Sequence, residues 1–209
     1  DGSQILFQKV GGGNLRSPLW SRETGIYLSD VRDGSPKRIS ESGSSPQFSE
    51  SGDRIFLTRQ ESSKDSDNVT LYSVDRSGNE QRDHYTSDWA TDMRVSPDGR
   101  WLALVERFHV YLTPFIRSPT AIKVGPGGKG LPIVKVSDNA GDFIHFSGDG
   151  QRLYWSLGPQ LSSCDVTQAM DSIVKTTTPT NDEEGQEPGQ DEVDEQDVKS
   201  KAEPLIEDR

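Results

Sequence analysis

Apolar and polar residues alternate with a period of two along several short segments of the chain. The clearest segments are 25–31, 69–74 and 109–115. Successive side chains of a strand point to opposite faces, so this alternation predicts β-strands with one face buried. Before residue 164, no stretch of useful length shows the spacing of an amphipathic helix. The pattern therefore predicts an all-β fold for the larger part of the chain.

A short corner motif recurs between the predicted strands. Its most complete copy is the run SPDGR at 96–100, which lies between two apolar segments. Asp-Gly favours a tight turn, because glycine takes positive φ at little cost and the Asp side chain binds nearby backbone amides. The turn residues that we assign to this corner and its copies are Asp1, Gly2, Ser49, Gly52, Ser96, Pro97, Asp98, Gly99, Ser147, Asp149 and Gly150.

The corner glycines follow one another at intervals of about 50 residues. Each interval holds apolar strands and a weaker polar strand such as 36–40, which gives four antiparallel strands per period. Four-stranded units of this length are typical of β-propeller blades. The strands that lead into the corners, 45–49, 91–96 and 142–147, should be innermost. The sequence thus predicts a partial β-propeller of about three to four blades, a fragment of a ring that usually has about 4 to 8.

The corner motif resembles the repeats of TolB-like propellers, in which Ser-Pro-Asp-Gly is followed by a basic residue and an apolar strand. The run 101–159 shows a second and longer similarity. It contains ERF at 106–108, GLP at 130–132 and WSLGP at 155–159. In these features it resembles the last propeller segment of bacterial proteins that join TolB-like repeats to a metal-dependent amidohydrolase domain.

This resemblance implies a parent enzyme whose metal ligands lie in a following barrel domain that begins with a His-x-His strand. The chain contains no His-x-His sequence, and its histidines, His84, His109 and His145, are far apart. We therefore expect no catalytic residue, cofactor or metal site in this chain, and any metal ion would belong to a further C-terminal domain. Glu106, Arg107 and His145 are candidates for lining an interface or channel. For Glu106 and Arg107, the alternative is an ion pair at a strand edge.

The acidic charge is concentrated at the C-terminal end. Of the net charge of −11, residues 164–209 contribute −10 through 14 acidic and 4 basic side chains. This segment has no aromatic residue, so it can bury too little apolar surface to offset the loss of chain entropy. We predict propeller blades over 1–163 and a largely disordered acidic linker over 164–209, with a short helix at 165–174 capped by Asp165.

The expected partners are further blades and a catalytic domain of the same polypeptide, or a separate protein. The repeat region lacks the clustered Lys and Arg that bind phosphates, which argues against nucleic acid. No apolar run approaches the roughly 18 to 20 residues that span a bilayer.

Three functions stay open at this point. The chain is the non-catalytic scaffold segment of a larger bacterial hydrolase of the amidohydrolase superfamily, a stand-alone TolB-like binding propeller, or the gating propeller of a serine peptidase. The resemblance to TolB-like proteins implies a periplasmic or secreted location.

Overall fold

The computed structural model describes residues 2–11, 23–62, 67–128 and 130–177. The predicted turn residue Asp1 and the predicted acidic tail beyond residue 177 lie outside the described residues. The described elements are, in chain order, β1 (Gln4–Lys9), β2 (Gly25–Asp30), β3 (Pro36–Ser40), β4 (Ser44–Phe48), β5 (Arg54–Ser62), β6 (Asp67–Asp75), β7 (Arg82–Ser87), β8 (Ala90–Val95), β9 (Trp101–Glu106), β10 (His109–Pro114), β11 (Ile122–Lys123), β12 (Val134–Lys135), β13 (Asp142–Phe146), β14 (Arg152–Leu157), β15 (Gln160–Asp165) and α1 (Val166–Thr177).

Within the described residues, the strands form four sheets, which we name A to D in chain order. Sheet A has the strand order β1-β2-β3, sheet B β11-β7-β6-β5-β4, sheet C β12-β10-β9-β8 and sheet D β13-β14-β15. The strand β8 contacts both β4 and β13, so the first strands of sheets B, C and D lie side by side. Four-stranded antiparallel sheets arranged in this way are the blades of a β-propeller. The fold is all-β and forms part of a propeller, as the sequence predicts.

Three sheets differ in detail from the predicted four strands per period. Sheets A and D have three strands each, and sheet B gains β11 as a fifth strand. This short strand runs parallel to β7, with Ile122 opposite Tyr85, and Val124 N donates to Thr86 O at 2.8 Å. The long connection between β10 and β12 therefore leaves sheet C and adds a short strand to sheet B before it returns.

Apolar side chains fill the space between successive sheets. Burying one Leu, Ile or Phe contributes roughly 1.5 to 3 kcal/mol, whereas an exposed ion pair contributes about 0 to 1 kcal/mol. Stacking of the sheets is thus the main source of stability. The core residues include Ile26, Leu28, Ile55 and Leu57 between sheets A and B, Leu71, Tyr85, Met93, Leu102 and Leu104 between B and C, and Val110, Leu112, Leu153 and Trp155 between C and D.

The helix α1 follows β15 directly and covers the segment for which the sequence predicts a helix. Asp165 caps it, since its Oδ1 accepts a hydrogen bond from Gln168 N at 2.9 Å. Val166 and Met170 are one turn apart and pack into the core between sheets C and D. The chain after β15 therefore adds a helix to this core, and the described part of sheet D ends at its third strand.

Candidate functional site

The predicted corner turns are closed by a serine hydroxyl and a carboxylate. In the corner at 96–101, Gly99 N donates to Ser96 O at 2.9 Å, and Trp101 N donates to Ser96 Oγ at 2.9 Å. The Ser96 hydroxyl in turn donates to Asp98. Pro97, with its fixed φ, begins the turn. The serine hydroxyl and the aspartate carboxylate of this motif thus form hydrogen bonds within the turn itself.

The corners at 49–54 and 147–152 keep this arrangement although their sequences differ. Ser147 Oγ donates to Asp149 Oδ1 at 2.6 Å, and this hydrogen bond lowers the pKa of Asp149. In the corner at 49–54 the carboxylate comes after the glycine, yet Ser49 Oγ still donates to Asp53 Oδ1 at 2.9 Å. Positive φ is shared by all the corner glycines, with values from +67° to +73° at Gly2, Gly52, Gly99 and Gly150.

Glu106 ends β9 and lies buried between sheets B and C. Only 5% of its surface is exposed, and its Oε2 accepts a hydrogen bond from Ser87 Oγ at 2.9 Å. Burial raises the pKa of Glu106, and the hydrogen bond from Ser87 partly opposes that rise. Both residues line a cavity of about 440 Å³. A buried carboxylate at a cavity wall is a functional-site candidate, because burying such a charge is costly.

Arg107 and Phe108 form the tight turn between β9 and β10. Both residues have positive φ, +48° and +69°, a conformation that is uncommon for side chains of this size. The turn places the Arg107 guanidinium over the half-exposed ring of Trp89, 5.2 Å from its centroid. Phe108 itself is 79% exposed. The unusual backbone and the exposed aromatic residue make this turn a candidate binding surface.

An apolar groove of about 600 Å³ adjoins the Glu106 cavity. It lies between sheets C and D, and it shares Trp89 and Arg107 with the cavity. Its wall also includes Val105, Phe108 and Leu157. We call the cavity and the groove together the Glu106 site.

The glycine-rich segment 125–128 closes one side of the Glu106 site. A Cβ atom at Gly125 would lie 3.0 Å from Glu106 Oε2, so a side chain at this position would crowd the carboxylate. The same wall carries Lys123, whose Nζ lies 2.7 Å from Asp88 Oδ2. The segment therefore contacts a carboxylate, which is a different environment from a phosphate-binding loop.

His84 lines a second cavity, of about 770 Å³, on the side of the corner turns. Its Nε2 lies 2.7 Å from Ser73 Oγ, and Arg54 Nε donates to the same oxygen at 2.8 Å. Its Nδ1 is buried without a hydrogen-bond partner among the described residues. Burial first, and the charge of Arg54 second, lower the pKa of His84 to about 4.

The structure separates His145 from Glu106 and Arg107. His145 is exposed on β13 and lines another cavity together with Phe48 and Arg94. In the part of the chain that the structure describes, no three His, Cys, Asp or Glu side chains are grouped so that they could hold a metal ion.

Sequence reasoning singled out Glu106 and Arg107 but missed their neighbours. Ser87, Trp89 and Gly125 lie on other elements, and only the packing of sheet B against sheet C brings them to the carboxylate. Two signals were available. Glu106 is a charged residue at the end of the apolar run of its strand, and Trp89 is a large aromatic residue in a polar turn.

The fold and the Glu106 site define this chain as part of a β-propeller that carries a cavity between two of its blades. No family model matches the chain, and no curated protein matches it. No helix in the described residues is long and apolar enough to cross a membrane.

Several solved structures are similar to the chain. The β-propeller domain of the Trilobed protease from Pyrococcus furiosus has a TM-score of 0.46 at 12% identity, covering 75% of this chain and 45% of that one. TolB from Acinetobacter baumannii has a TM-score of 0.39 at 12% identity, with 70% and 47% covered. The periplasmic gluconolactonase PpgL of Pseudomonas aeruginosa has a TM-score of 0.40 at 20% identity, with 72% and 47% covered. The chain spans about half the length of these structures.

Proposed function

We propose that this chain is the non-catalytic propeller segment of a longer protein and acts as a scaffold that packs against further blades. The observation that carries the proposal is the exposure of apolar side chains on the outer faces of sheets A and D, the first and last sheets. Sheets B and C, in contrast, are covered by a neighbouring sheet on both faces.

The outer face of sheet A is formed by the side of β1 that points away from sheet B. Leu6 packs towards the core between sheets A and B, so Ile5 and Phe7 point to the opposite face. Ile5 is 53% exposed, and Phe7 stacks on Tyr27 with the ring centroids 5.7 Å apart. In addition, β1 is an edge strand of sheet A in the described part of the chain. Further sheet structure can therefore add at this edge and this face.

The outer face of sheet D has the same character. Trp155 packs towards sheet C, so its neighbour Ser156 points outwards, and Leu161 lies opposite Ser156 in the register of β14 and β15. Leu161 is 71% exposed. Repeat arrays gain stability from contacts between neighbouring units, which is why further blades of the same polypeptide are the occupants that we propose for both faces.

We further propose that the longer protein is a metal-dependent amidohydrolase. The similarity of 101–159 to propeller segments joined to amidohydrolases supports a metal-dependent amidohydrolase, with the metal ion held outside this chain. The resemblance of the corner motifs to TolB-like repeats supports a periplasmic or secreted location. Purified product of the complete gene should hydrolyse amide substrates in a metal-dependent way, whereas residues 1–209 alone should not. Turnover by residues 1–209 alone would contradict the non-catalytic role.

The scaffold role is tested by Phe7→Asp in the complete gene product and in residues 1–209 alone. A charge buried against a neighbouring blade should lower the free energy of unfolding of the complete product by about 2 kcal/mol or more. In residues 1–209 alone the change should be several-fold smaller, because the face is exposed to water. The matched control is Ile116→Asp, since Ile116 is exposed but lies outside both outer faces. Equal effects of the two variants in the complete product would rule out the scaffold role, and so would a complete product without further blades.

A further inference from the structure

The carboxylate of Glu106 is buried without a cation in direct contact. Within the described residues its one hydrogen bond comes from Ser87 Oγ, and the ion pairs of those residues, at up to 4.0 Å, do not include it. An ionised carboxylate removed from water is stabilised strongly when a cation pairs with it. The cavity beside Glu106 leaves room for such a cation to come from a ligand.

The ring of Trp89 lines the same cavity and provides a second possible contact for a positive charge. The Arg107 guanidinium already lies over this ring, as expected for a cation–π interaction. Arg107 thus occupies the ring without pairing with Glu106, and a ligand cation that replaces it would have to lie closer to the carboxylate than the guanidinium does. Since Arg107 stands on an exposed turn, its side chain can swing away and leave the ring to a ligand.

The groove next to the cavity accommodates an apolar group. Val105, Phe108 and Leu157 line it, and Trp89 borders both spaces. The groove lies on the face of sheet C opposite to Glu106, and the two spaces meet at Trp89 and Arg107, so a ligand that fills both has to extend around these two residues. The cavity and the groove measure about 440 and 600 Å³, which is ample for a ligand with one aromatic ring.

We propose that the Glu106 site binds an apolar ligand carrying one ammonium or guanidinium group, with the cation between Glu106 and Trp89 and the apolar group in the groove. Ser87 orients the carboxylate, and Gly125 packs against it without a side chain. A small amine and a basic side chain next to an aromatic residue of a peptide share this chemistry. The role is separate from the scaffold role of the outer sheet faces and does not depend on it.

The test is a titration of the 209-residue protein with phenethylammonium, in which binding is measured by calorimetry and by tryptophan fluorescence. The neutral comparison is phenethyl alcohol, and the anionic comparison is 3-phenylpropionate. The cation should bind at least about tenfold more tightly than the alcohol, because it forms a charge-assisted hydrogen bond with Glu106.

A second titration compares acetyl-Arg-Phe-amide with acetyl-Gln-Phe-amide. Whichever of phenethylammonium and acetyl-Arg-Phe-amide binds more tightly shows whether the ligand is a small amine or a peptide. Equal binding of cation and alcohol, or binding of neither cation, would overturn the proposal.

Variants assign the binding to this site. Glu106→Gln should remove the preference for the cation over the alcohol, and Glu50→Gln, on the side of the corner turns, should keep it. Arg107→Ala should tighten binding of phenethylammonium several-fold, because the Trp89 ring no longer holds an internal cation. If Glu106→Gln does not fold, Trp89→Leu serves instead, since Trp89 is half-exposed, and it should weaken the cation about tenfold. Unchanged affinity in the folded variant at Glu106 or Trp89 would contradict the assignment.

Discussion

Acid should destabilise this protein through His84. The imidazole lies in a partly buried position where its ring packs against Phe56, with the centroids 5.2 Å apart, and 5.7 Å from the Phe115 ring. Burial, followed by the charge of Arg54, lowers its pKa from the ordinary 6.5 to about 4. The folded state therefore holds a neutral His84 at a pH where the unfolded chain already binds a proton.

The size of the effect follows from this pKa difference. Because the unfolded state binds the proton more readily, stability is lost as the pH falls through the window from 6.5 to about 4. One pKa unit corresponds to about 1.4 kcal/mol, so the complete contribution is on the order of 3 kcal/mol. About 2 kcal/mol of it should be lost between about pH 8 and pH 5.

The variant that isolates this contribution is His84→Phe. It keeps an aromatic ring beside Phe56 and loses the hydrogen bond to Ser73, a constant cost of about 1 kcal/mol at every pH. Urea unfolding at pH 8 and pH 5, monitored by circular dichroism, gives the change in the free energy of unfolding between the two pH values. Wild type should lose about 2 kcal/mol more than His84→Phe over this range, whereas His145→Phe, at the exposed His145, should behave like wild type. Equal losses in wild type and His84→Phe would refute the reasoning.

Further substitutions test the turns, the cap and the buried carboxylate by thermal and urea unfolding. Gly78→Ala should cost well over about 2 kcal/mol, because φ is +88° and an added Cβ would lie 1.8 Å from Ile39 O. Gly99→Ala, with φ of +67° and its nearest side-chain atom 3.2 Å away, should cost only about 1 kcal/mol, and a larger loss at Gly99 than at Gly78 would contradict the geometry. Asp165→Ala should cost about 0.5 to 2 kcal/mol by removing the helix cap; no loss would exclude the cap. Glu106→Gln should raise the free energy of unfolding at neutral pH, because burial raises the pKa of Glu106 and makes its charged form unfavourable in the folded state. At acidic pH, where Glu106 is protonated, the variant should show no such gain, and a gain that persists there would contradict the explanation by charge burial.

Local features of the fold could be predicted because a few neighbouring residues determine them. The alternation at 69–74 and 109–115 matches β6 and β10, and the corner at 96–100 forms its turn from its own serine, aspartate and glycine. Likewise, the segment after Asp165 is helical, since its cap and its apolar positions are all within six residues. The repeat of these units then indicates blades, because their apolar faces have to be covered by one another.

The tertiary structure alone decided which distant groups meet. Ser87 and Gly125 reach Glu106 from either side of it in the sequence, through the packing of sheet B on sheet C and the crossing of β11 to β7. The burial of His84 next to Phe56 and Phe115 has the same origin. Alternation along a strand shows which face is buried, but it does not show which side chains lie opposite. That pairing depends on how the sheets stack and where a long connection crosses, and both are properties of the whole folded chain.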